Sequence, residues 1–256
     1  MPSRRRGISI TVKSKWKKTK WLLSDRVLRN YVPETMVFTR RSLKRMTGRY
    51  KMLYFKPTTG TGGNGIARIE RNSSGGFQVK KDGKTVRAAS ARALFGRLKG
   101  IARSRSYLLQ KGIYLKACRG RPFDLRMTMQ KTAKGRWVPT LLFVKLGKPG
   151  KVVTNYHQGG RLAHIDGTLR RAGYTKAQTN DYKRLARMLG KRTARCFDRR
   201  SSRFYELGLD VALDRDGKLW ILEVNTRPSF SALKSFKNKK FYRTAVRYGK
   251  QYGRTR

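Results

Sequence analysis

Short apolar runs, separated by turns that contain glycine or asparagine, recur along the chain and predict β-strands. The run at 52–57 leads into a glycine-rich loop, and a second run at 66–69 follows that loop. Turn residues at Asp82 and Gly83, and again at Lys134 and Gly135, predict hairpins because such pairs favour tight reversals. The predicted strands and hairpins cover residues 52–57, 66–69, 77–88, 107–110, 123–130 and 137–144.

Apolar residues at three- and four-residue spacing predict helices elsewhere. The predicted helices cover residues 20–30, 42–47, 90–104, 179–197 and 241–252. The longest, 179–197, is expected to be capped near Asn180 and Asp181. Its buried side is expected to contain Tyr182, Leu185, Met188 and Leu189. The basic amphipathic helix 90–104 favours an ordinary surface helix over a membrane- or nucleic-acid-binding helix.

The composition fits a folded protein of one or two domains. The chain has 256 residues, 38% of them hydrophobic, which is more apolar material than a disordered basic tail carries. No apolar run approaches the roughly 18 residues of a membrane span, and none follows the basic N-terminus as in a signal peptide. Cys118 and Cys196 stand alone, which favours two reduced thiols in a cytoplasmic protein.

The charge is the feature that changes this picture most. Lys and Arg number 64 against 13 Asp and Glu, a formal net charge of +51. Self-repulsion on that scale opposes compaction unless anions bind, so nonspecific adhesion to polyanions and nucleic acids is expected. Two interpretations stay open: a solvated basic surface in a protein that works near polyanions, and a specific polyanion-binding function.

The few acidic residues are concentrated in one segment. Five of the 13 lie between Glu206 and Glu223, where two apolar runs flank Asp216 and Gly217. With these two residues as a two-residue turn, Asp210 lies opposite Glu223, and Asn225 shares the face of Glu223. Opposed carboxylates repel unless a cation lies between them, and these side chains suit Mg²⁺. The alternative is an exposed acidic hairpin that offsets the basic surface.

Two further segments offer groups for phosphate binding. Lys56 precedes the loop 58–65, whose glycines and hydroxyls can present backbone N–H groups to phosphate oxygens. The loop is neither a Walker P-loop nor a Rossmann turn, because no helix follows it; a mobile hairpin tip is the alternative. Strand alternation puts Asp124 and Arg126 on one face, where Arg126 can clamp a phosphate or form a structural pair with Asp124.

Together these segments resemble the ATP-grasp superfamily, and most closely the YheC/YheD endospore coat-associated family. The resemblance spans roughly residues 16–230. The matching stretches are 20–21, 32–35, 55–65, 120–126, 155–160, 210 and 222–225. It implies an α+β, ATP-grasp fold in which two α+β subdomains with antiparallel sheets sandwich ATP. The implied organisation is a basic N-terminal arm at 1–15, a small subdomain at 16–106 and a large subdomain at 107–256.

The resemblance also implies roles for individual residues. Lys20 and Lys56 resemble the two nucleotide lysines, and Gln110 and Ile113 the ends of the adenine hinge. The lid over the triphosphate would contain Thr59, Gly60, Gly62, Gly63 and Gly65. Arg126 would steady the γ-phosphate or acyl phosphate, and Asn155 would contact phosphate or substrate. One or two Mg²⁺ ions, with Mn²⁺ as a substitute, would be held by Asp210, Glu223 and Asn225.

The implied activity is Mg-ATP-dependent ligation of a carboxylate to an amine through an acyl phosphate. The positive charge predicts an acidic substrate such as a carboxylate-rich peptide. The alternative is a structural protein that binds polyanions or nucleic acid on an ATP-grasp scaffold. The resemblance places either one in the cytoplasm or in association with the spore coat.

Overall fold

Two antiparallel sheets form the framework of the computed structural model, which describes residues 9–73, 75–148, 160–236 and 238–254. The strands of the first sheet are β1 (Thr35–Val37), β2 (Met52–Pro57), β3 (Ala67–Arg71), β4 (Phe77–Lys81), β5 (Lys84–Ala88) and β6 (Tyr107–Lys111). They are ordered β1-β6-β2-β3-β4-β5. The strand β6 follows the predicted subdomain boundary at residue 106, yet it lies between β1 and β2 in this sheet.

The first sheet buries one face against two helices, α2 (Arg40–Arg49) and α3 (Ala91–Ala102). Both helices start at a side-chain cap. Thr39 accepts from the Ser42 N–H in a capping box, and Ser90 accepts from the Ala93 N–H. Their apolar faces meet the sheet in a core that contains Leu43, Met46, Phe55, Ile69, Leu94, Leu98 and Leu109.

The second sheet contains the longest strands of the structure. Its strands are β7 (Ala117–Cys118), β8 (Arg121–Lys131), β9 (Trp137–Leu146), β10 (Arg161–Ala163), β11 (Glu206–Leu213) and β12 (Leu219–Asn225). They are ordered β10-β9-β8-β11-β12, and β7 pairs with β8. Consequently β8, β11 and β12 are neighbours, which brings Arg126, Asp210 and Glu223 into adjacent positions.

Four helices accompany the second sheet. They are α1 (Lys15–Leu23), α4 (Ile165–Arg171), α5 (Lys176–Asp198) and α6 (Lys240–Lys250), with 3-10 turns at Leu28–Tyr31 and Ser231–Ser235. Contacts between α1 and α5 include Trp21, whose ring meets that of Phe197 edge-on at 5.1 Å. This packing fixes α1 beside the end of β12, where the cavity described below lies.

Several element boundaries differ from the predictions. The helix predicted at 20–30 is α1, which begins at Lys15 because Ser14 caps the Lys17 N–H. The cap of α5 is Thr175, paired with Gln178, rather than Asn180 and Asp181. Met188, predicted to be buried, is 40% exposed. The short elements β1, β7, β10 and α4 were not predicted, since an element of two to seven residues contains too few repeats to establish a period.

The hairpin of β11 and β12 also differs from its predicted turn. Its loop has three residues, 215–217, closed by the Asp214 N–H, which donates to the Lys218 carbonyl at 3.0 Å. A three-residue loop alone would shift every pair by one. However, a bulge in which Leu222 has no partner restores the register, so Asp210 lies opposite Glu223 as predicted.

Candidate active site

A cavity of about 490 Å³ lies between the two sheets and collects most of the residues singled out from the sequence. One side is lined by β2, the glycine-rich loop and β6, and the other by β8, β9, β11 and β12. The volume is within the usual range for small-molecule and cofactor sites. The charged residues of its lining are Lys15, Lys56, Lys111, Asp124, Arg126, Lys145, Asp210, Glu223 and Arg227.

Lys56 is buried near the end of β2 and lines the cavity. Burial outweighs the attraction of Glu223 and lowers the pKa of Lys56 to about 8. Among the ion pairs of the described residues, none within 4 Å involves this lysine. A buried ammonium group without its own carboxylate is well suited to receive an anionic ligand.

Lys15 connects three parts of the site. Its backbone N–H donates to the Thr58 carbonyl at 2.7 Å, and its Nζ donates to the Gly60 carbonyl at 2.6 Å. The same Nζ lies 3.0 Å from Glu223 Oε1. Lys18 follows one turn later, 3.9 Å from the same oxygen, and burial lowers the pKa of Lys18. The start of α1 is thereby tied both to the glycine-rich loop and to β12.

The structure corrects the placement of Lys20. This side chain is exposed and lies outside the cavity lining, with its Nζ 5.9 Å from the Trp16 ring centroid. Since α1 begins at Lys15, the residues three and seven positions after it, Lys18 and Leu22, lie on the same face of the helix, and this face is buried. Lys20 is turned away from that face.

The glycine-rich loop contributes a continuous part of the lining. Gly60, Gly62 and Gly63 line the cavity, whereas Thr59 and Gly65 do not. Gly65 instead packs the loop against β6: at its φ of +74°, an added Cβ would come within 2.9 Å of the Tyr107 hydroxyl. The predicted loop is therefore at the cavity, with three of its five named residues facing in.

The predicted hinge also reaches the cavity. Gln110 and Ile113 both line it, and the Gln110 amide donates to Thr35 Oγ1 at 2.9 Å. The lining of the cavity also includes the side chains of Tyr54, Ile66, Leu115 and Leu222, which contribute apolar surface. This combination of apolar surface and a few fixed polar groups is typical of small-molecule and cofactor sites.

The proposed metal ligands share the opposite wall. Asp210, Glu223 and Asn225 all line the cavity, and Asn225 Nδ2 lies 3.4 Å from Asp210 Oδ2. In the described ranges 9–73, 75–148, 160–236 and 238–254, no group of three or more His, Cys, Asp or Glu is suited to a metal ion. Two carboxylates and an amide fit Mg²⁺ only when a substrate supplies phosphate oxygens, which is how this ion is commonly bound.

Arg126 and Lys145 offset the charge of Asp210. Arg126 Nε lies 3.1 Å and Lys145 Nζ 2.7 Å from Asp210 Oδ1, and Lys145 Nζ also lies 3.1 Å from Asp124 Oδ1. Burial alone would raise the pKa of Asp210, but Arg126 and Lys145 together hold it below its usual value. Burial likewise opposes the charge of Lys145, yet Asp124 and Asp210 raise its pKa. This wall is a buried network of paired charges.

After β12 the lining of the cavity continues along the chain into the 3-10 turn at Ser231–Ser235, and this part is called its outer end below. Arg227 and Phe230 line this end, and the Arg254 guanidinium carbon stands 4.0 Å from the Phe230 ring centroid. Arg254 also forms an ion pair with the buried Glu206, which accepts a hydrogen bond from the Tyr252 hydroxyl at 2.8 Å. Asn155, predicted to contact phosphate or substrate, lies outside the described residues.

Four lining or supporting residues were missed as site residues: Lys15, Lys18, Asp124 and Lys145. Asp124 could have been predicted as a site residue, since strand alternation placed it on the same face as Arg126. Lys15 and Lys18 would have required recognition of Ser14 as a helix cap. Lys145 could not have been predicted from the sequence, because its position depends on the register of a strand pair that contains a bulge.

No helix within the described part of the chain has the length and apolar character needed to cross a membrane. The sequence model of the family described as YheC/D like ATP-grasp matches residues 8–255.

Two curated relatives come from Bacillus subtilis (strain 168). Endospore coat-associated protein YheD is 28% identical over 213 residues, which are 78% of this chain and 46% of the relative. Endospore coat-associated protein YheC is 25% identical over 225 residues, 84% of this chain and 59% of the relative. The chain therefore spans about half the length of the curated relatives it matches.

A solved structure shares the architecture. The D-alanine-D-alanine ligase from Coxiella burnetii aligns with a TM-score of 0.51 at 13% sequence identity, covering 92% of this chain and 53% of that chain. At this identity the likeness concerns the fold alone, and it confirms the predicted α+β arrangement of two antiparallel sheets.

Proposed function

This chain belongs to the YheC/D-like ATP-grasp family, and from that premise we propose that it is a Mg-ATP-dependent carboxylate–amine ligase. The observation that carries the proposal is the arrangement of the cavity. Asp210, Glu223 and Asn225 line the same cavity as the buried cation Lys56 and the glycine-rich loop. A polyphosphate with a bound divalent ion complements both sets of groups.

The nucleotide would lie along the first sheet. Lys56 and the backbone of Gly60, Gly62 and Gly63 would bind the phosphates, with Lys15 replacing Lys20 as the second lysine. Gln110 and Ile113 would border the adenine. Support comes from the burial of Lys56 and from the position of Lys15, which contacts both Gly60 and Glu223.

Asp210, Glu223 and Asn225 would hold Mg²⁺, which would supply positive charge to the triphosphate oxygens. In the proposed reaction a substrate carboxylate attacks the γ-phosphorus, ADP leaves, and an amine then displaces phosphate from the acyl phosphate. Arg126 would orient the transferred group with its fixed guanidinium fork. No protein nucleophile is required, since positioning and charge stabilisation accomplish most of such transfers.

The carboxylate substrate is proposed to be acidic, for example a carboxylate-rich peptide. Arg227 and the residues around Phe230 would receive it, because they line the outer end of the cavity, beyond the proposed metal ligands along β12. The net charge of +51 would raise the local concentration of such a substrate. By analogy with relatives named as endospore coat-associated, we propose that the chain acts in association with the spore coat.

Calorimetric titration with ATP tests the proposal directly. Glu223→Ala is expected to remove most of the Mg²⁺-dependent part of the ATP affinity while leaving the weaker metal-free binding. Asp216→Ala is the matched control, since Asp216 is exposed at the turn of the same hairpin and is expected to leave the affinity unchanged. Equal Mg²⁺-dependent affinity for ATP in wild type and Glu223→Ala would rule out the proposed metal site.

A second candidate is a structural protein that binds polyanions on the ATP-grasp scaffold. It is favoured by the excess of 64 basic over 13 acidic residues. Binding of this kind weakens steeply with salt and does not require Glu223. Salt-sensitive DNA binding that Glu223→Ala leaves unchanged, with no detectable ATP binding by wild type, would favour this candidate over the ligase.

A further inference from the structure

Gly208 lies in the middle of β11, and the four positions around it on the cavity face of the sheet all carry longer side chains. Strand alternation places it between Glu206 and Asp210 on this face. Its cross-strand partners are Thr128 of β8 and Asn225 of β12, which both line the cavity. Gly208 is nevertheless buried, so other groups fill the gap that its missing side chain leaves.

The backbone conformation does not require glycine at this position. The φ of Gly208 lies outside the left-handed region, and the residue is paired in register on both sides. A glycine inside a paired strand weakens the strand and commonly marks the close approach of another group. The reason for glycine here is therefore space above the strand rather than freedom of the backbone.

Two groups occupy the space that a side chain at Gly208 would need. An added Cβ would lie 2.7 Å from Arg126 Nη1 and 2.8 Å from Pro228 Cβ. Both distances are far shorter than the optimal separation of about 3.5–4.0 Å between non-bonded carbon atoms. Arg126 Nη1 ends a flexible side chain, whereas Pro228 Cβ belongs to a ring fixed to the backbone. A side chain at this position would therefore displace the guanidinium first.

Arg126 is held in this space from two directions. It lies directly opposite Asp210 in the pairing of β8 with β11, and its Nε is 3.1 Å from Asp210 Oδ1. From there the guanidinium extends along β11, so that Nη1 lies over Gly208. Pro228 closes the other side, and its segment is anchored by the buried Thr226, whose hydroxyl accepts a backbone N–H at 2.9 Å. Asp210 and the bare backbone of Gly208 therefore set the position of the guanidinium.

We propose that Gly208 is a positioning residue for Arg126: its missing side chain forms the slot that holds the guanidinium in place for the transferred phosphoryl group. This inference rests on the proposed function, in which Arg126 orients that group. A side chain at position 208 would move the guanidinium away from the γ-phosphate. The contacts to the rest of the nucleotide, which the first sheet would supply, would remain. Because ATP has a γ-phosphate and ADP has none, the expected consequence is a weaker preference for the triphosphate.

The test is the ratio of the affinities for β,γ-imido-ATP and ADP, each measured by calorimetry with Mg²⁺ on the full chain. Gly208→Ala is expected to lower the affinity for β,γ-imido-ATP about tenfold, as for loss of one charge-assisted hydrogen bond, and to leave the affinity for ADP unchanged. Gly190→Ala is the matched control. An added Cβ at this glycine of α5 would lie 2.8 Å from Met129 Sδ, outside the cavity lining, so stability should fall without a change in the ratio.

A double-mutant cycle separates an effect on Arg126 from a general disturbance of the strand. Arg126→Met is expected to remove the same preference for the triphosphate, and Gly208→Ala added to Arg126→Met should change it no further. A further decrease in the double variant would mean that Gly208 acts on another group, and it would overturn the inference. A folded Gly208→Ala protein with the wild-type ratio would also overturn it, as would equal affinities for the two nucleotides in wild type.

If Gly208→Ala fails to fold, Pro228→Gly becomes the reference protein, because it removes the ring from the other side of the slot. Gly208→Ala added to Pro228→Gly is then expected to lose the preference for the triphosphate that Pro228→Gly alone retains. Retention of the preference in both proteins would overturn the inference while leaving the ligase proposal intact. Absence of binding of either nucleotide by wild type would instead remove the proposed function.

Discussion

Lys56 is buried and Lys145 is largely buried, and both line one cavity, yet their pKa values are shifted in opposite directions. The pKa of Lys56 is lowered to about 8 because burial is not compensated by a neighbouring carboxylate. The pKa of Lys145 is raised because Asp124 and Asp210 more than compensate for burial. The first-sheet wall therefore carries a positive charge that is not compensated until an anion binds, and we call it the incomplete wall. The charges of the second-sheet wall are paired before any ligand binds, and we call it the complete wall.

This difference indicates how the two walls share the work of binding. The uncompensated charge of Lys56 costs stability in the free protein, and an arriving phosphate would recover that cost as binding energy. The paired charges around Lys145 keep Arg126 and Asp210 in fixed positions and need little rearrangement on binding. Under the proposed function, the first-sheet wall would attract the nucleotide, and the second-sheet wall would be preorganised for the reacting groups.

The largest effect is expected from breaking the complete wall. Asp124→Asn removes one of the two carboxylates that hold Lys145, and loss of one partner from a buried pair is strongly destabilising. We expect the free energy of unfolding, measured by urea denaturation, to fall by about 3 kcal/mol. Asp216→Asn, at the exposed hairpin turn, should change it by less than about 0.5 kcal/mol. A decrease below about 1 kcal/mol for Asp124→Asn would mean that the wall is not held by these pairs.

A substitution in the incomplete wall should have the opposite effect and raise the free energy of unfolding. Lys56→Met removes an ammonium that burial disfavours. The fall of its pKa from 10.5 to about 8 corresponds to about 3 kcal/mol, since one pKa unit is about 1.4 kcal/mol, so unfolding should require about that much more free energy. ATP affinity should nevertheless fall by about 10- to 100-fold, since a hydrogen bond to a charged group contributes about 1.5–3 kcal/mol. A variant that is less stable than wild type would contradict the assignment of Lys56 as an uncompensated charge.

The pH dependence gives a second check on Lys56. Its folded pKa of about 8 is below the ordinary value of 10.5, so the side chain is charged below pH 8 and loses its proton as the pH rises through 8. ATP affinity of wild type should therefore fall between about pH 8 and 10, where ordinary lysines remain charged. The Lys56→Met protein should lack this decrease, and an equal decrease in both proteins would assign it to another group.

Each wall was predicted in part from the sequence, and the position of Lys145 was missed for a physical reason. Lys56 and its loop are contiguous, so a local pattern was enough to place them together. The complete wall depends on register between strands, and both hairpins that build it contain bulges. Without the bulge between Thr128 and Met129, extrapolation from the β8–β9 turn would put Val144 rather than Lys145 opposite Asp124.

The correct prediction for Asp210 and Glu223 depended on two deviations that cancel. The turn has three residues instead of two, and the bulge at Leu222 reverses the resulting shift. Neither deviation is visible in the alternation of apolar residues, because a bulge is defined by what its partner strand does. The predicted pairs between the turn and the bulge were therefore wrong by one residue, and those beyond the bulge were right. Only the structure shows why they agree there.

The smallest expected effect is also the sharpest contrast, because it compares two lysines of one helix. Lys15→Met removes the contacts to Gly60 and Glu223, so ATP affinity should fall about tenfold, as for loss of one charge-assisted hydrogen bond. Lys20→Met removes an exposed charge outside the cavity, and the affinity should stay within about twofold. Amide exchange provides an independent readout: the loop 58–65 should exchange faster in Lys15→Met and at the wild-type rate in Lys20→Met. If Lys20→Met instead has the larger effect on both measurements, then nucleotide binding rotates α1 and presents the face that is now exposed to solvent.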